Sequence, residues 1–274
     1  MDQAQLERTL ADLPLGEIRY YNQIGSTNTR ADQWAEAGAP DLSLVVADEQ
    51  TAGRGRLGRR WFTPPGAALA FSLLMDLRAG AVPAATLPER YVPVLTALGA
   101  VVVSSALRRE YSLMTEIKWP NDVLLERRKV AGVLVETHWR GERPTYAVLG
   151  IGINVATSSI PQETDLLYPA TCVQAVLGRP VDRWVLLHGV LEELLAWRSR
   201  LFSRELLRTW NEQLAFKGEW VRVGCADQAG SSQHEGTVIG LDLQGCLLLR
   251  TGSGKIATVQ NGELYLRPVD KTPE

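Results

Sequence analysis

Gly53-Arg54-Gly55-Arg56-Leu57-Gly58-Arg59-Arg60-Trp61-Phe62-Thr63-Pro64-Pro65-Gly66 places four arginines and three glycines in its first eight residues and then breaks on two prolines. Its glycine spacing matches G-x-G-x-x-G, the dinucleotide fingerprint, which works only where the glycines open a helix whose N-terminus holds a pyrophosphate. Two consecutive prolines followed by glycine cannot continue a helix. The doubly wound parallel fold is thereby excluded, and the stretch reads as a loop. Glycine lets such a loop adopt positive φ and approach a ligand closely. Guanidinium forks pair bidentately with phosphate or carboxylate oxygens, so the natural occupant is an anion.

The flanking sequence supplies the frame. Ser26-Thr27-Asn28 precedes an amphipathic run over residues 29–37 that stops at Gly38 and Pro40, the pattern of an N-capped, glycine-terminated helix. Residues 43–47 read as a buried strand leading into the loop, and residues 69–77 as a second strand. The uncharged stretch 91–107 contains a proline, a glycine, a threonine and two serines and is short of the ~20 apolar residues of a membrane span; it reads as a buried core helix. Three β-rich runs follow, 114–119, 130–137 and 146–155, separated by Glu126-Arg127-Arg128 and Arg140-Gly141-Glu142. The order predicts an α+β fold: a mixed, largely antiparallel sheet with helices packed on it. A less regular segment, 156–178, leads to a long helix from Asp182 to Leu201 and a second over 204–216.

Composition changes at Lys217-Gly218. Short strands at 220–223, 236–241, 246–250, 256–259 and 264–266, with turns at Gln244-Gly245 and Asn261-Gly262, predict a small all-β barrel. The expected domains are therefore 1–217 and 218–274. Over 274 residues, 45% hydrophobic and 22% charged, 29 basic side chains balance 31 acidic ones at −2, which argues against a dedicated nucleic-acid surface. Cys172, Cys225 and Cys246 are odd in number and lack C-x-x-C spacing, so neither a disulfide framework nor a zinc site is indicated. A reducing cytoplasm is expected. Asp2, Glu7, Arg8, Asp12 and Glu17 exclude a signal-peptide core at the start of the sequence.

A second dense signature, Lys118-Trp119-Pro120-Asn121-Asp122, lies sixty-odd residues beyond the loop. If the two meet, the chemistry is carboxylate activation by ATP. A carboxylate and a nucleotide repel each other, so the approach to the α-phosphorus needs fixed positive charge in a desolvated pocket, which Arg54, Arg56, Arg59, Lys118 and Lys129 can supply. Asp122 offers a hard oxygen for Mg²⁺ or a ribose. Gly150-Ile151-Gly152-Ile153-Asn154 ends a strand with two glycines and an amide, suited to a flat heterocycle. Each feature also has a plainer explanation. The Arg/Gly run alone is a solvated or RNA-contacting loop, the two lysines surface charges, Ser26 and Thr27 helix caps, Gly152 a bulge and Asp122 an Asx-turn. Their co-occurrence in one order favours the site. No kinase triplet, G-x-S-x-G elbow or paired Cys/His signature is present, and His138, His188 and His234 lack metal-ligand spacing.

Taken in order, Ser26-Thr27-Asn28, Gln50, the loop from Gly53 to Arg59, Trp61, Lys118-Trp119-Pro120-Asn121-Asp122, Lys129-Val130-Ala131-Gly132 and Gly152-Ile153-Asn154 strongly resemble the biotin protein ligase family. The resemblance runs from about residue 20 to the C-terminus. It implies a catalytic domain followed by an SH3-like barrel, with biotin and ATP as substrates and Mg²⁺ as cofactor. It also implies biotinyl-5′-adenylate as intermediate and a lysine of a biotin carboxyl carrier domain, of acetyl-CoA carboxylase or another biotin-dependent carboxylase, as acceptor. Ser26, Thr27, Asn28, Gln50, Gly53, Arg54, Gly55, Arg56, Lys129, Gly132 and Gly152 then correspond to the biotin side. Arg56, Arg59, Trp61, Asn121, Asp122 and Asn154 correspond to the ATP side, with Asp122 as the metal candidate, and Lys129, Arg56 and Lys118 to the catalytic groups. Leu57 stands where members often carry a polar residue. Only 25 residues precede Ser26, too few for the helix-turn-helix of bifunctional members, so the resemblance is to the monofunctional class; no DNA or membrane partner is expected, and a homodimer is left as an alternative to a monomer. The competing readings are a lipoate ligase or octanoyltransferase of the same fold and a non-catalytic nucleic-acid-binding module.

Overall fold

The computed structural model describes residues 2–78, 91–141, 143–161, 168–224, 234–260 and 267–268. Its elements run α1 (Gln3–Thr9), β1 (Ile18–Ile24), α2 (Thr27–Glu36), β2 (Leu44–Gln50), β3 (Ala68–Asp76), α3 (Tyr91–Tyr111), β4 (Thr115–Lys118), β5 (Asp122–Leu125), β6 (Arg128–Arg140) and β7 (Arg143–Asn154). They continue as α4 (Val173–Leu177), α5 (Arg183–Arg198), α6 (Arg204–Glu212), β8 (Trp220–Val223), β9 (His234–Leu241), β10 (Leu247–Arg250), β11 (Ile256–Val259) and β12 (Arg267–Pro268). The first sheet has the order β1-β2-β3-β7-β6-β5-β4. Only β1 and β2 pair in parallel; every other neighbour is antiparallel. The expected mixed, largely antiparallel sheet is what forms.

Helices cover both faces of that sheet. Phe71, Leu73, Leu149 and Ile151 point into the main core with α3 and α5, while Leu74, Val45 and Val148 meet Trp34 and Ala31 of α2 on the other side. This double cover explains why β3 reads as an unbroken apolar run instead of an alternation. The helix from Tyr91 to Tyr111 is long and apolar enough to cross a membrane, yet 78% of its most apolar window is buried against the rest of the chain. It is the core helix the sequence predicted.

The C-terminal strands form a second, antiparallel sheet of order β11-β10-β9-β8-β12, the small SH3-like unit. The strand expected at 264–266, the Asn261-Gly262 turn, Glu142 and Cys225 lie outside the described residues. The apolar core does not stop at residue 217: Val221, Val238, Leu247 and Leu249 belong to the same buried cluster as α3 and the first sheet. Trp119 crosses the seam, its Nε1 donating to the Gly245 carbonyl at 2.9 Å in a buried position. Gly245 has φ +82°, and a Cβ there would lie 2.9 Å from the Trp210 ring. The second sheet is thus fastened to the Lys118-to-Asp122 signature itself.

Helix α1, strands β1 and β5 and helix α4 were not anticipated. Strand β1 is a polar edge strand, Ile-Arg-Tyr-Tyr-Asn-Gln-Ile, whose place comes from pairing with β2. Residues 122–125, assigned to no strand from sequence, form β5 between β4 and β6. The helix expected over 204–216 forms as α6 but ends at Glu212 because residues 214–216 leave it, Ala215 N donating to Ile117 O at 2.9 Å. The Trp119→Phe variant keeps one aromatic ring but leaves a void in a buried position and orphans the Gly245 carbonyl, and should lose about 2–4 kcal/mol in chemical denaturation monitored on both sheets.

Candidate active site

Cross-strand register assembles the site. Lys118 pairs with Asp122, Asp122 with Gly132, Gly132 with Gly152 and Gly152 with Ala70, one row across β4, β5, β6, β7 and β3. Directly paired residues share a face, and the next row on that face is Leu134, Gly150 and Ser72. A cavity lies over these rows, bounded by the N-terminus of α2 and by the glycine/arginine loop. Its floor must lack side chains: a Cβ on Gly150 would fall 1.9 Å from Asn28 Oδ1, and one on Gly152 2.4 Å from the Trp61 ring.

One wall is ionic. The Asp122 carboxylate, 6% exposed, receives Lys129 Nζ at 2.6 Å on one oxygen and Lys118 Nζ at 3.0 Å on the other. Burial by itself would push this carboxyl up, but the charges of Lys129 and Lys118 and the hydrogen bonds they donate outweigh it and hold the group well below the ordinary carboxylate range. Lys129 reaches this wall because of a register break. Leu124 pairs with Lys129 and Val123 with Ala131, so Val130 is the extra residue of a bulge. Without the bulge the period-2 alternation would put Lys129 on the core face with Ala131. Arg56 Nη1 extends from the loop to Asn121 Oδ1 at 3.5 Å, and Asn121 Nδ2 donates to Val133 O at 2.9 Å.

The opposite wall is polar and neutral. Ser26 sits at the cap position of α2, yet its side chain makes no capping bond. Gln50 Oε1 accepts instead, from Thr27 N at 2.8 Å and Thr27 Oγ1 at 3.1 Å, while Gln50 Nε2 donates to Thr63 Oγ1 at 3.1 Å. The Ser72 hydroxyl lies 2.8 Å from Thr27 Oγ1 and 2.6 Å from Asn28 Oδ1. Asn28 Nδ2 donates to Glu136 Oε2 at 2.9 Å and to Leu134 O at 3.3 Å. Capping thus does not account for Ser26, and the first turn of α2 faces the cavity.

Of the residues singled out from sequence, Ser26, Thr27, Asn28, Gln50, Arg54, Gly55, Arg56, Arg59, Trp61, Lys118, Asn121, Asp122, Lys129, Gly132 and Gly152 all line this one cavity. Gly53 does not; its backbone accepts from Trp61 N at 2.9 Å, and a Cβ would meet the Trp61 carbonyl at 2.4 Å, so it serves the turn of the loop. Asn154 does not line it either; it is buried and its Nδ2 donates to Thr171 O at 3.1 Å. Asp122, the metal candidate, does line the cavity. Both its oxygens are engaged by ammonium groups, and among the described residues no cluster of three or more His, Cys, Asp or Glu could hold a metal. The residues present do not fit a protein-held Mg²⁺ site. Ser72 and Glu136 were missed. Ser72 hides inside an apolar strand, whereas Glu136 follows Gly132 and Leu134 at period 2, a signal that strand alternation carries.

The sheet, the glycine-floored cavity and its cationic wall define an α+β catalytic fold of the ligase type. The model of the biotin/lipoate A/B protein ligase family matches residues 20–154. The bifunctional ligase/repressor BirA of Bacillus spizizenii is 31% identical over 238 residues, 86% of this chain and 70% of that protein. The biotin-[acetyl-CoA-carboxylase] ligase of Paracoccus denitrificans is 31% identical over 234 residues, 84% of this chain and 92% of that protein. Among solved structures, biotin protein ligase from Aquifex aeolicus in complex with biotin and ATP superposes with a TM-score of 0.74 at 28% identity, covering 92% of this chain and 99% of that one. The chain belongs to the biotin/lipoate A/B protein ligase family.

Asp122→Asn leaves two ammonium groups in a buried setting without a counterion and should cost about 3–5 kcal/mol at neutral pH. Because the folded carboxyl titrates below its ordinary value of 3.8, its stabilisation is present above that value and is lost as pH falls through the folded one. Unfolding curves of wild type and variant should therefore converge as the solution is acidified below about pH 4.

Proposed function

We propose that this chain is a biotin protein ligase that forms biotinyl-5′-adenylate from biotin and ATP and transfers biotin to a lysine of a biotin carboxyl carrier domain. The observation that carries the reading is the division of one cavity into a neutral, glycine-floored wall with fixed hydrogen-bonding partners and an ionic wall with two lysines and an arginine. The first suits an uncharged bicyclic ring with polar edges. The second suits the meeting of two anions.

In the first step a carboxylate oxygen of biotin attacks the α-phosphorus of ATP, an acyl–O–P bond forms and pyrophosphate leaves with the electrons of the cleaved P–O bond. Lys129 and Arg56 offset the charge that both reactants bring to that point. Lys118 and Asp122 hold Lys129 in place, so that its ammonium need not be reorganised at the moment of reaction. In the second step the uncharged ε-amine of the acceptor lysine attacks the acyl carbon, AMP leaves and the nitrogen gives up a proton. No step here uses a metal held by the protein. Homology to proteins named as biotin ligases, including one of 31% identity over most of both chains, supports biotin over lipoate or octanoate as the acyl group.

Purified protein should release pyrophosphate only when biotin and ATP are both present, not with lipoate, and an added carrier domain should gain the mass of one biotinyl group. Release with lipoate alone would transfer the assignment to the lipoate branch of the family. Steeply salt-dependent polynucleotide binding without pyrophosphate release would replace it with the nucleic-acid reading. Arg56→Ala should shorten the retention of biotinyl-adenylate by about tenfold or more, since a loop without its charged contact across the cavity cannot stay shut; filtration of the preformed complex measures this.

A further inference from the structure

Arg54 and Arg56 are two residues apart in the loop but go to different places. Arg56 reaches over the ionic wall to Asn121. Arg54 turns the other way, its Nη2 donating to Glu136 Oε2 at 2.5 Å. The same carboxylate oxygen accepts from Asn28 Nδ2 at 2.9 Å. Glu136 therefore joins the loop to the neutral wall, and the connection continues through Asn28 and Ser72 to Thr27, from Thr27 to Gln50, and from Gln50 to Thr63 where the loop ends. Both ends of the loop are tied into one polar chain that runs beneath the cavity.

A carboxylate beside a cavity that must accept two anions is unfavourable for binding unless its charge is matched. With side-chain exposures of 42% and 33%, the Arg54–Glu136 pair contributes little to folding stability. Its geometry makes sense as a device of the site. Glu136 cancels the charge of Arg54 and leaves Arg56 and Lys129 as the groups that meet the anions. It also fixes the amide of Asn28, whose oxygen is already engaged by Ser72, in a single orientation.

Resting on the reading of the cavity as a biotin site, we propose that Glu136 is a positioning residue that latches Arg54, and with it the loop, to Asn28. Through that latch it sets the affinity for biotin and the lifetime of the bound acyl-adenylate. Arg54 is then the anchor of the loop and not a phosphate ligand.

The test uses the full chain with biotin and ATP and follows two quantities, steady-state pyrophosphate release and loss of preformed biotinyl-adenylate after dilution. Glu136→Ala should raise KM for biotin by about five- to tenfold and speed adenylate loss by a similar factor, with a smaller change in kcat at saturating biotin. Glu136→Gln keeps an acceptor for Asn28 while removing the charge that holds Arg54, and should lie between Glu136→Ala and wild type. Arg54→Ala, which leaves the Glu136 carboxylate unmatched beside the cavity, should be at least as impaired as Glu136→Ala, and the double variant should be no worse than the worse single one, as expected for two groups acting as one unit. Thermal melts near that of wild type would separate these effects from loss of fold; if Glu136→Ala does not fold, Glu136→Gln and Arg54→Ala carry the comparison. Wild-type KM and adenylate lifetime in Glu136→Gln and Arg54→Ala, or additive effects in the double variant, would overturn the latch. Failure of wild type to form any biotinyl-adenylate would instead overturn the proposed function.

Discussion

The site is organised by a single buried carboxylate. Asp122 stands between Lys118 and Lys129, and each ammonium is placed by the oxygen it bonds. An unpaired ion in such a position would either leave the interior or give up its charge. The three groups are therefore mutually conditional: the lysines stay fixed because Asp122 is there, and Asp122 stays ionised because the lysines are there. Two positive charges balanced by one negative leave a net positive wall that is rigid before any ligand arrives. Rigidity of this kind is what an anion-activating site requires, since charges that had to be gathered during the reaction would add their ordering cost to the barrier.

Around this wall the backbone does the sorting. The row Lys118, Asp122, Gly132 and Gly152 is a consequence of strand register, and the alternation of strands places the ionic wall and the glycine floor side by side. Trp119, the residue between Lys118 and Pro120, faces away from the cavity and bonds to Gly245 of the second sheet. The C-terminal unit thereby shares a buried contact with the very turn that carries Lys118 and Asn121. Its apolar residues join the main core, so the two sheets form a continuous interior despite the change in composition near residue 217.

Much of this was legible along the chain. The helical spacing from Asp182 onward marked α5, and Asp182 accepts the backbone N–H groups of Trp184 and Val185. The uncharged stretch at 91–107 marked the core helix. Prolines at 64 and 65 exclude the dinucleotide-binding alternative from the sequence alone. What misled were residues whose role depends on distant partners. Ser26 looks like a cap, but Gln50, 23 residues beyond Thr27, accepts the Thr27 N–H instead. Asn154 looks like an amide presented to a ligand, and its Nδ2 is already bonded to the Thr171 carbonyl. Asp122 looks like a hard metal ligand, and both its oxygens are taken by lysines.

Sequence by itself determined the class of fold, the loop, and nearly the whole set of side chains that meet at the cavity, because glycines, prolines, caps and motif spacing act locally. Tertiary structure alone decided which way those side chains face and what they already hold. Lys129 is the clearest case. Its motif names it, but only the bulge at Val130, produced by pairing with β5, turns it from the core to the cavity. Glu136 is the complement: strand alternation puts it on the face of Gly132 and Leu134, but its role arises where Arg54, 82 residues away, and Asn28, 108 residues away, converge on one oxygen. Register and long-range pairing are properties of the assembled sheet, and no local preference of the chain encodes them.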